Sequence, residues 1–409
     1  MNLSPLLPLS LLYRPGSGHL SELVRQFDGR LGELVDMTIK DPRNPILGLS
    51  ENERVHAALF SNAKLDKILE QCAKNNIKLL GLFDEGYPPL LREIYNPPVL
   101  LYVAGNIAAL GEGLSLAIVG ARDPSEYSVA VTVKLIRALK KSEVRWNIVS
   151  GFARGIDIAA HIAAVKNGLP TIAVKGCGLL NNYPRQNERF FDTVARNGAL
   201  ISEYPPDEAA KAPYFPVRNR IIAGMSVGTV VIEASEKSGS LVTANLATEF
   251  GRDVFCIPPH DIAAPRYFGN VNLLRDGAAA LFGIRDLIFE NVNTTLFVAE
   301  KYAEIREEPK RKKAKSNSLL DEKPKKTAVG LTAAEKYLLE EETPPDISTL
   351  EGGARTIAEI ITARKETLSA EDISLLTDLD VLDIIDILTD LEIGGFITRN
   401  ADGTYGIRS

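Results

Sequence analysis

Two glycine-rich turns, each carrying an arginine, are the first residues whose types and spacing could do chemistry. They are Gly120-Ala121-Arg122 and Ser150-Gly151-Phe152-Ala153-Arg154-Gly155-Ile156-Asp157. Each follows a short apolar run and leads towards a helical stretch. Small residues in such turns let backbone N–H groups approach an anion at a helix N-terminus. Arg122 and Arg154 could add bidentate contacts to phosphate, and Asp157 reads as the cap of the following helix. The alternative is a pair of tight strand-to-helix turns whose arginines sit in internal ion pairs; two such turns, each with an arginine, favour anion binding. A third turn, Glu233-Ala234-Ser235-Glu236-Lys237-Ser238-Gly239-Ser240-Leu241-Val242-Thr243, places the cation Lys237 and the hydroxyls of Ser238 and Ser240 around Gly239 at a helix start.

The densest polar-aromatic segment is Phe215-Pro216-Val217-Arg218-Asn219-Arg220-Ile221-Ile222-Ala223-Gly224. An aromatic ring beside two arginines and an amide suits single-stranded nucleic acid: the ring stacks on a base, Arg218 and Arg220 grip phosphate, and Asn219 reads a base edge. Against this, one arginine could pair with Glu203 or Glu233. Those two carboxylates both end strands, and facing one pocket they would suit glycosidic hydrolysis of a nucleotide; structural pairing with arginine explains them more simply. The sequence contains no GxxxxGK[ST] and no strict GxGxxG, since Gly176-Cys177-Gly178 lacks its third glycine, so P-loop and dinucleotide chemistry lose their main support. No Ser–His–Asp order stands out, and His161, inside an AAHIAA stretch, reads as packed. Cys72, Cys177 and Cys256 form no CxxC, and the four histidines show no metal-ligand spacing, so neither a metal nor another cofactor is expected.

Positioning these turns requires an alternating scaffold, and the middle of the chain supplies one. Apolar runs at Val99–Val103, Leu116–Val119, Asn147–Val149, Thr171–Val174, Ala199–Ser202, Gly228–Ile232 and Asp253–Ile257 read as strands, with helices at Tyr127–Lys141 and Asp157–Asn167. The pattern predicts α/β units, a Rossmann-like doubly wound, mostly parallel sheet buried on both faces over residues 81–290. Residues 84–105, rich in proline and tyrosine, read as an irregular connector into its first strand. Residues 1–80 read as a small helical domain. Its turn Pro15-Gly16-Ser17-Gly18 opens the amphipathic segment HLSELVRQFDGRLGELVDM, and a packing role is favoured over a phosphate-binding helix-hairpin-helix role.

Charge divides the chain further. The net charge of −6 conceals balance in residues 81–290, an excess of four positive charges in the lysine-rich stretch 291–329, and an excess of eleven negative charges in residues 330–409. The first of these excesses reads as a flexible linker. The second falls on helices, at about 331–342, 354–363, 370–376 and 380–393, followed by a hairpin around Asp402-Gly403, the order of a winged helix. Asp380, Asp383, Asp386, Asp390 and Glu392 crowd the recognition-helix region without a cation, which disfavours duplex DNA and favours a protein contact. With no basic residue before its first apolar run, the chain does not read as carrying a signal peptide. No apolar run is long enough to span a membrane, and the cysteine usage suits the cytoplasm.

The motifs GAR (120–122), SGFARGID (150–157), YPRQN (183–187), SEYPP (202–206), FPVRNRIIAG (215–224), EASEKSGSLVTA (233–244) and GRDVFCIP (251–258), in this order, resemble the DNA-processing protein A family, also called DprA or Smf. The likeness spans roughly residues 80–285. Residues 1–80 resemble the family's helix-hairpin-helix or SAM-like leader less specifically, and the tail its optional winged helix. Phe152 stands where the family commonly has leucine and Tyr204 where phenylalanine is common. The resemblance implies a non-enzymatic, dimeric cytoplasmic protein that binds single-stranded DNA, protects incoming strands and loads the recombinase RecA in natural transformation. Motif by motif, the implied pocket holds Gly120, Arg122, Ser150, Gly151, Arg154, Gly155, Phe215, Arg218, Asn219, Arg220, Lys237, Ser238 and Gly239. The competing reading is an enzyme similar to nucleoside-monophosphate phosphoribohydrolases, whose PGGxGT signature is absent here. A regulator acting through the winged helix is a third, weaker reading.

Overall fold

The computed structural model describes residues 5–287 apart from positions 59 and 143, and, towards the C-terminus, residues 350, 352–364 and parts of 367–407. The chain divides into two units, Met1–Leu338 and Leu339–Ser409. The stretch 291–329 and the expected helix at 331–342 lie outside the described residues.

The first unit opens with five helices, α1 (Leu6–Leu12), α2 (Gly18–Gln26), α3 (Leu31–Lys40), α4 (Glu51–Ala58) and α5 (Asn62–Lys74). Strand β1 (Ile77–Gly81), helix α6 (Pro89–Glu93), strand β2 (Leu100–Gly105) and helix α7 (Ala108–Gly111) follow. An alternating series then runs β3 (Leu114–Val119), α8 (Glu126–Lys141), β4 (Trp146–Ser150), α9 (Ile156–Lys166), β5 (Thr171–Lys175), α10 (Phe191–Arg196), β6 (Gly198–Ser202), α11 (Tyr214–Gly224), β7 (Gly228–Val231), α12 (Gly239–Glu249), β8 (Asp253–Cys256), α13 (Phe268–Arg275) and β9 (Ala279–Ala280).

All nine strands form one sheet in the order β1-β2-β6-β5-β4-β3-β7-β8-β9. Pairing is parallel from β6 to β9, while β1 and β2 add an antiparallel edge. Every residue of β3, β4 and β5 is buried, as expected of a parallel sheet covered on both faces. Helix α9, apolar nearly all round, is buried from Ile156 to Ala164. The sheet reverses its winding between β3 and β7. β4, β5 and β6 extend one way from β3, and β7, β8 and β9 the other. Such a switch point leaves a crevice beyond the strands' carboxyl ends, where open α/β sheets bind ligands.

The N-terminal helices share an apolar core with this sheet. Leu6, Leu9, Leu12, Leu23 and Leu34 belong to the same buried cluster as Leu100, Leu101 and Ile201. Helix α1 packs against α3, α4 and β2. Strand β1 crosses residue 80, where the sequence placed a boundary, and ties the helical layer to the sheet edge.

The second unit contains α14 (Gly352–Arg364), α15 (Ala370–Ser374) and the antiparallel strands β10 (Ile397–Arg399) and β11 (Tyr405–Ile407). Leu368 bridges to Tyr405. Ile357, Ile361, Ile373, Ile384, Leu388 and Tyr405 form its core. Most of the expected helix at 380–393, and the turn Asp402-Gly403, fall outside the described residues.

Candidate nucleic-acid interface

At the switch point lies a cleft of about 560 Å³, lined by Gly120, Arg122, Ala153, Tyr183, Phe215, Arg218, Asn219, Ser238, Gly239 and Ser240 among others. A smaller recess of about 50 Å³ adjoins it, lined by Arg122, Gly151, Phe152, Ala153, Arg154, Lys175, Tyr183 and Phe215. The half-buried Phe215 lines both. The Tyr183 ring lies 5.3 Å from it, centroid to centroid, and the exposed Arg122 guanidinium 5.9 Å from its centroid. An aromatic pair with a cation beside it is a platform on which a base can stack while its phosphate meets the charge.

The segment around Phe215 is a helix, and this sorts its polar residues. Pro216 sits in the first turn of α11, where a missing N–H costs nothing. Residues three and four apart share a helix face, so Phe215, Arg218 and Asn219 point to the cleft. Arg218 and Arg220, two apart, diverge by about 200° around the axis. Arg220 therefore leaves the cleft and pairs with Glu203 at 2.6 Å, buried on both sides; its expected phosphate contact is corrected to an internal ion pair. Arg218 lines the cleft but is 5% exposed. Its Nη1 donates to the Gly151 carbonyl at 2.6 Å and to the Val174 carbonyl, and its Nε to Asn219 Oδ1 at 3.1 Å. Its first job is to tie together the carboxyl ends of β4 and β5. Burial pushes its pKa down, with the Asp157 charge opposing.

The turn after β4 is held from inside. Ser150 is fully buried, and its hydroxyl donates to the Ile118 carbonyl at 2.6 Å; it links two strands and offers the cleft nothing. Asp157 is not the cap: Gly155 precedes α9, and the Asp157 carboxylate, in the first helical turn, accepts from the N–H of Gly151 at 3.1 Å and of Ala153 at 3.4 Å. Burial pushes its carboxyl up, while Arg218 and these bonds pull it back. A Cβ on Gly151 would lie 2.6 Å from both Arg218 Nη2 and Asp157 Oδ2. At Gly155, with φ +80°, a Cβ would lie 2.2 Å from the Ala121 carbonyl oxygen. The two arginine turns are thus packed backbone against backbone, which only glycine allows. Gly120 packs likewise on Ile156. Arg154 is exposed at the recess.

The third turn caps α12. Ser238 is its N-cap, accepting from Ser240 N–H at 3.4 Å, and Gly239 is exposed at the cleft. Asn219 Nδ2 donates to the Gly239 carbonyl at 3.3 Å, joining α11 to this turn. Lys237 is exposed but is not one of the cleft-lining residues.

A family model described as DNA recombination-mediator protein A matches residues 78–292, which span the sheet and the whole cleft. The chain belongs to this family. The DNA processing protein DprA of Bacillus subtilis is 35% identical over 253 residues, covering 60% of this chain and 84% of that one. The DprA of Streptococcus pneumoniae is 38% identical over 260 residues, 64% and 86% of the two chains. The X-ray structure of DNA processing protein A from S. pneumoniae superposes with a TM-score of 0.61 at 34% identity, covering 71% of this chain and all of that one.

Within this recombination-mediator fold, the carboxylate pair weighed for hydrolysis does not assemble. Glu203 follows β6 and Glu233 follows β7, four strand spacings apart in the sheet, or roughly 19 Å. Paired glycosidase carboxylates lie about 5–9.5 Å apart. Glu233 is buried, accepting from the Ser125 N–H at 2.9 Å and hydroxyl at 2.8 Å, which fixes the loop that carries Arg122. No group of three potential metal ligands occurs among the described residues, and no helix among them is long and apolar enough to cross a membrane.

Three residues of the site escaped the sequence reading as site residues: Tyr183, which lines both cleft and recess, Lys175, which lines the recess, and Asn187, which is buried behind the turn after β4. Tyr183 and Asn187 both lie in the YPRQN motif, whose aromatic and amide were the available signal. Lys175 ends an apolar strand, and nothing local marks it.

Proposed function

We propose that the protein binds single-stranded DNA across the switch-point cleft. The observation that carries this reading is the Phe215 ring beside Tyr183 and Arg122, next to the exposed Arg154 and the exposed Gly239 at the start of α12. A duplex hides its base faces, whereas a single strand can offer a base to the rings and phosphates to the Arg122–Arg154 recess and to the start of α12. The balanced charge of the surrounding unit makes local clustering the source of attraction. Lys237, outside the cleft lining, would steer rather than grip.

Membership of the recombination-mediator family supports the rest of the reading: a non-enzymatic cytoplasmic protein that shelters incoming strands and passes them to RecA. The dimer that the family resemblance implies would find exposed apolar side chains in the segments after β8: Ile262, Phe268 and Phe282 are 74%, 38% and 83% exposed. The acidic C-terminal unit, read as a winged helix, fits a protein contact better than duplex DNA.

A thymidine oligomer with one 2-aminopurine tests the platform. Stacking on Phe215 or Tyr183 changes the probe's emission at saturation, and Phe215→Leu should remove that change. Emission identical in wild type and variant would reject the platform.

A further inference from the structure

The floor of the small recess carries a feature that stacking leaves unexplained. Lys175, the last residue of β5, is 3% exposed, yet its side chain lines the recess together with Arg122 and Arg154. An ammonium has three donors. The Lys175 Nζ gives one to the Asn181 carbonyl at 2.6 Å. It also lies 5.5 Å from the Phe191 ring centroid and 6.0 Å from that of Phe152. Among the described residues no carboxylate forms an ion pair with it; the charge of Glu188 acts from further away. Burial pushes its pKa down.

A buried charge without a counter-ion is costly, and the fold could have filled this slot, bounded by two phenylalanines, with an apolar side chain. Instead the cation opens onto a recess of about 50 Å³ whose other charged lining groups are arginines. One water needs about 10–15 Å³ by this measure, so the recess admits a group of several heavy atoms. Gly151–Ala153, Gly176, Tyr183 and Phe215 are among the residues that complete its wall.

We infer that the recess is a phosphate subsite, in which Lys175 at the floor and Arg122 and Arg154 at the rim take one phosphate of the bound strand. The subsite rests on the single-strand reading of the cleft. It adds a fixed point at which the backbone is drawn inward while the neighbouring base lies on Phe215. The phosphate is either an internal phosphodiester or a 5′-terminal group, since both present the same oxyanion.

Lys175→Met tests this in the full chain, by anisotropy with labelled oligo-dT across a salt series, using strands with a 5′-hydroxyl and a 5′-phosphate. Methionine suits the apolar slot, so the variant should melt at or above the wild-type temperature. Its plot of log K against log salt should be shallower by up to about 0.7, the slope of one phosphate contact to a single strand, since one of the three charges on that phosphate is gone. A loss with both strands assigns the subsite to an internal phosphodiester; a loss confined to the phosphorylated strand assigns it to the 5′ end. A wild-type slope and affinity in the variant, or a clear fall in melting temperature, would overturn the inference, the second because it would mean that the ammonium is held for the fold. If wild type itself shows no salt-dependent single-strand binding, the cleft reading fails, a result separable from failure of Lys175 alone.

Discussion

The side-chain amide of Asn187 donates to the backbone carbonyl of Phe152 at 2.9 Å, and Phe152 is one of two non-glycine residues with positive φ among those described, at 57°. A bulky residue in left-handed backbone is strained, and such strain persists where surrounding contacts over-determine it. Here it bends the turn after β4 so that Ala153 and Arg154 face the recess while the Phe152 ring packs inward, 2% exposed. The YPRQN loop thus contributes twice to the site, with Tyr183 on its face and Asn187 beneath it.

Among the described residues, Asn187 is the one side-chain donor to that buried carbonyl, and Asn187→Ala removes it. The cost should be about 1–3 kcal/mol, read as a lower denaturation midpoint with an unchanged m-value. Single-strand affinity should fall as well, because the turn relaxes. Wild-type stability would show that the turn holds its shape without Asn187.

Arg220→Met breaks a buried pair and strands the Glu203 carboxylate, so stability should drop by about 3–5 kcal/mol. Folded variant should keep the wild-type salt slope for single-strand binding, because Arg220 does not reach the cleft. A shallower slope at undiminished stability would return Arg220 to the phosphate contacts.

Arg122→Ala should do the reverse. The side chain is exposed, so stability should stay within about 0.5 kcal/mol, while the salt slope becomes shallower by about 0.7. Equal slopes would remove Arg122 from the interface.

His161 gives the first unit an acid sensitivity. Its Nδ1 lies 2.7 Å from Thr171 Oγ1, whose own hydroxyl donates to the Ile148 carbonyl at 2.9 Å. The network therefore places the imidazole proton on Nδ1, leaving a buried Nε2 with no partner. Burial, then the nearby Arg218 charge, hold its pKa down at about 3. In an unfolded chain histidine titrates near about 6.5. Between these values the unfolded state binds the extra proton, so this contribution is complete above the unfolded pKa and is lost as pH falls towards the folded one. The slope approaches about 1.4 kcal/mol per pH unit. Urea unfolding at pH 5 and pH 7 should show a smaller difference in His161→Gln than in wild type; equal differences would contradict the assignment.

The parallel strands from β3 to β8 were legible because each is a short apolar run stopped by glycine, proline or a polar residue, as at Val119-Gly120 and Ser150-Gly151, whereas the two-residue β9 is too short to show a run. Strand β1 was not. Ile77–Gly81 is an antiparallel edge strand carrying Lys78, and it follows directly on the amphipathic helix α5. The candidate site was legible as a set of turns, because glycine and arginine at strand ends announce themselves. The division of labour within FPVRNRIIAG was hidden, since Pro216 disguised a helix. Once the segment is helical, the angular spacing alone separates Arg220 from Phe215. The roles of Ser150 and Asp157 depend on what lies behind the turn, on neighbouring strands and on Arg218 from a distant helix, which no local pattern reports.

The central claim is that the cleft takes a single strand. Its most direct test is fluorescence anisotropy with labelled oligo-dT and the matching duplex at two salt concentrations. Tight binding to the single strand, weakened by salt and clearly preferred over the duplex, is the expected result. Equal affinity for the duplex, or no binding of oligo-dT, would contradict it.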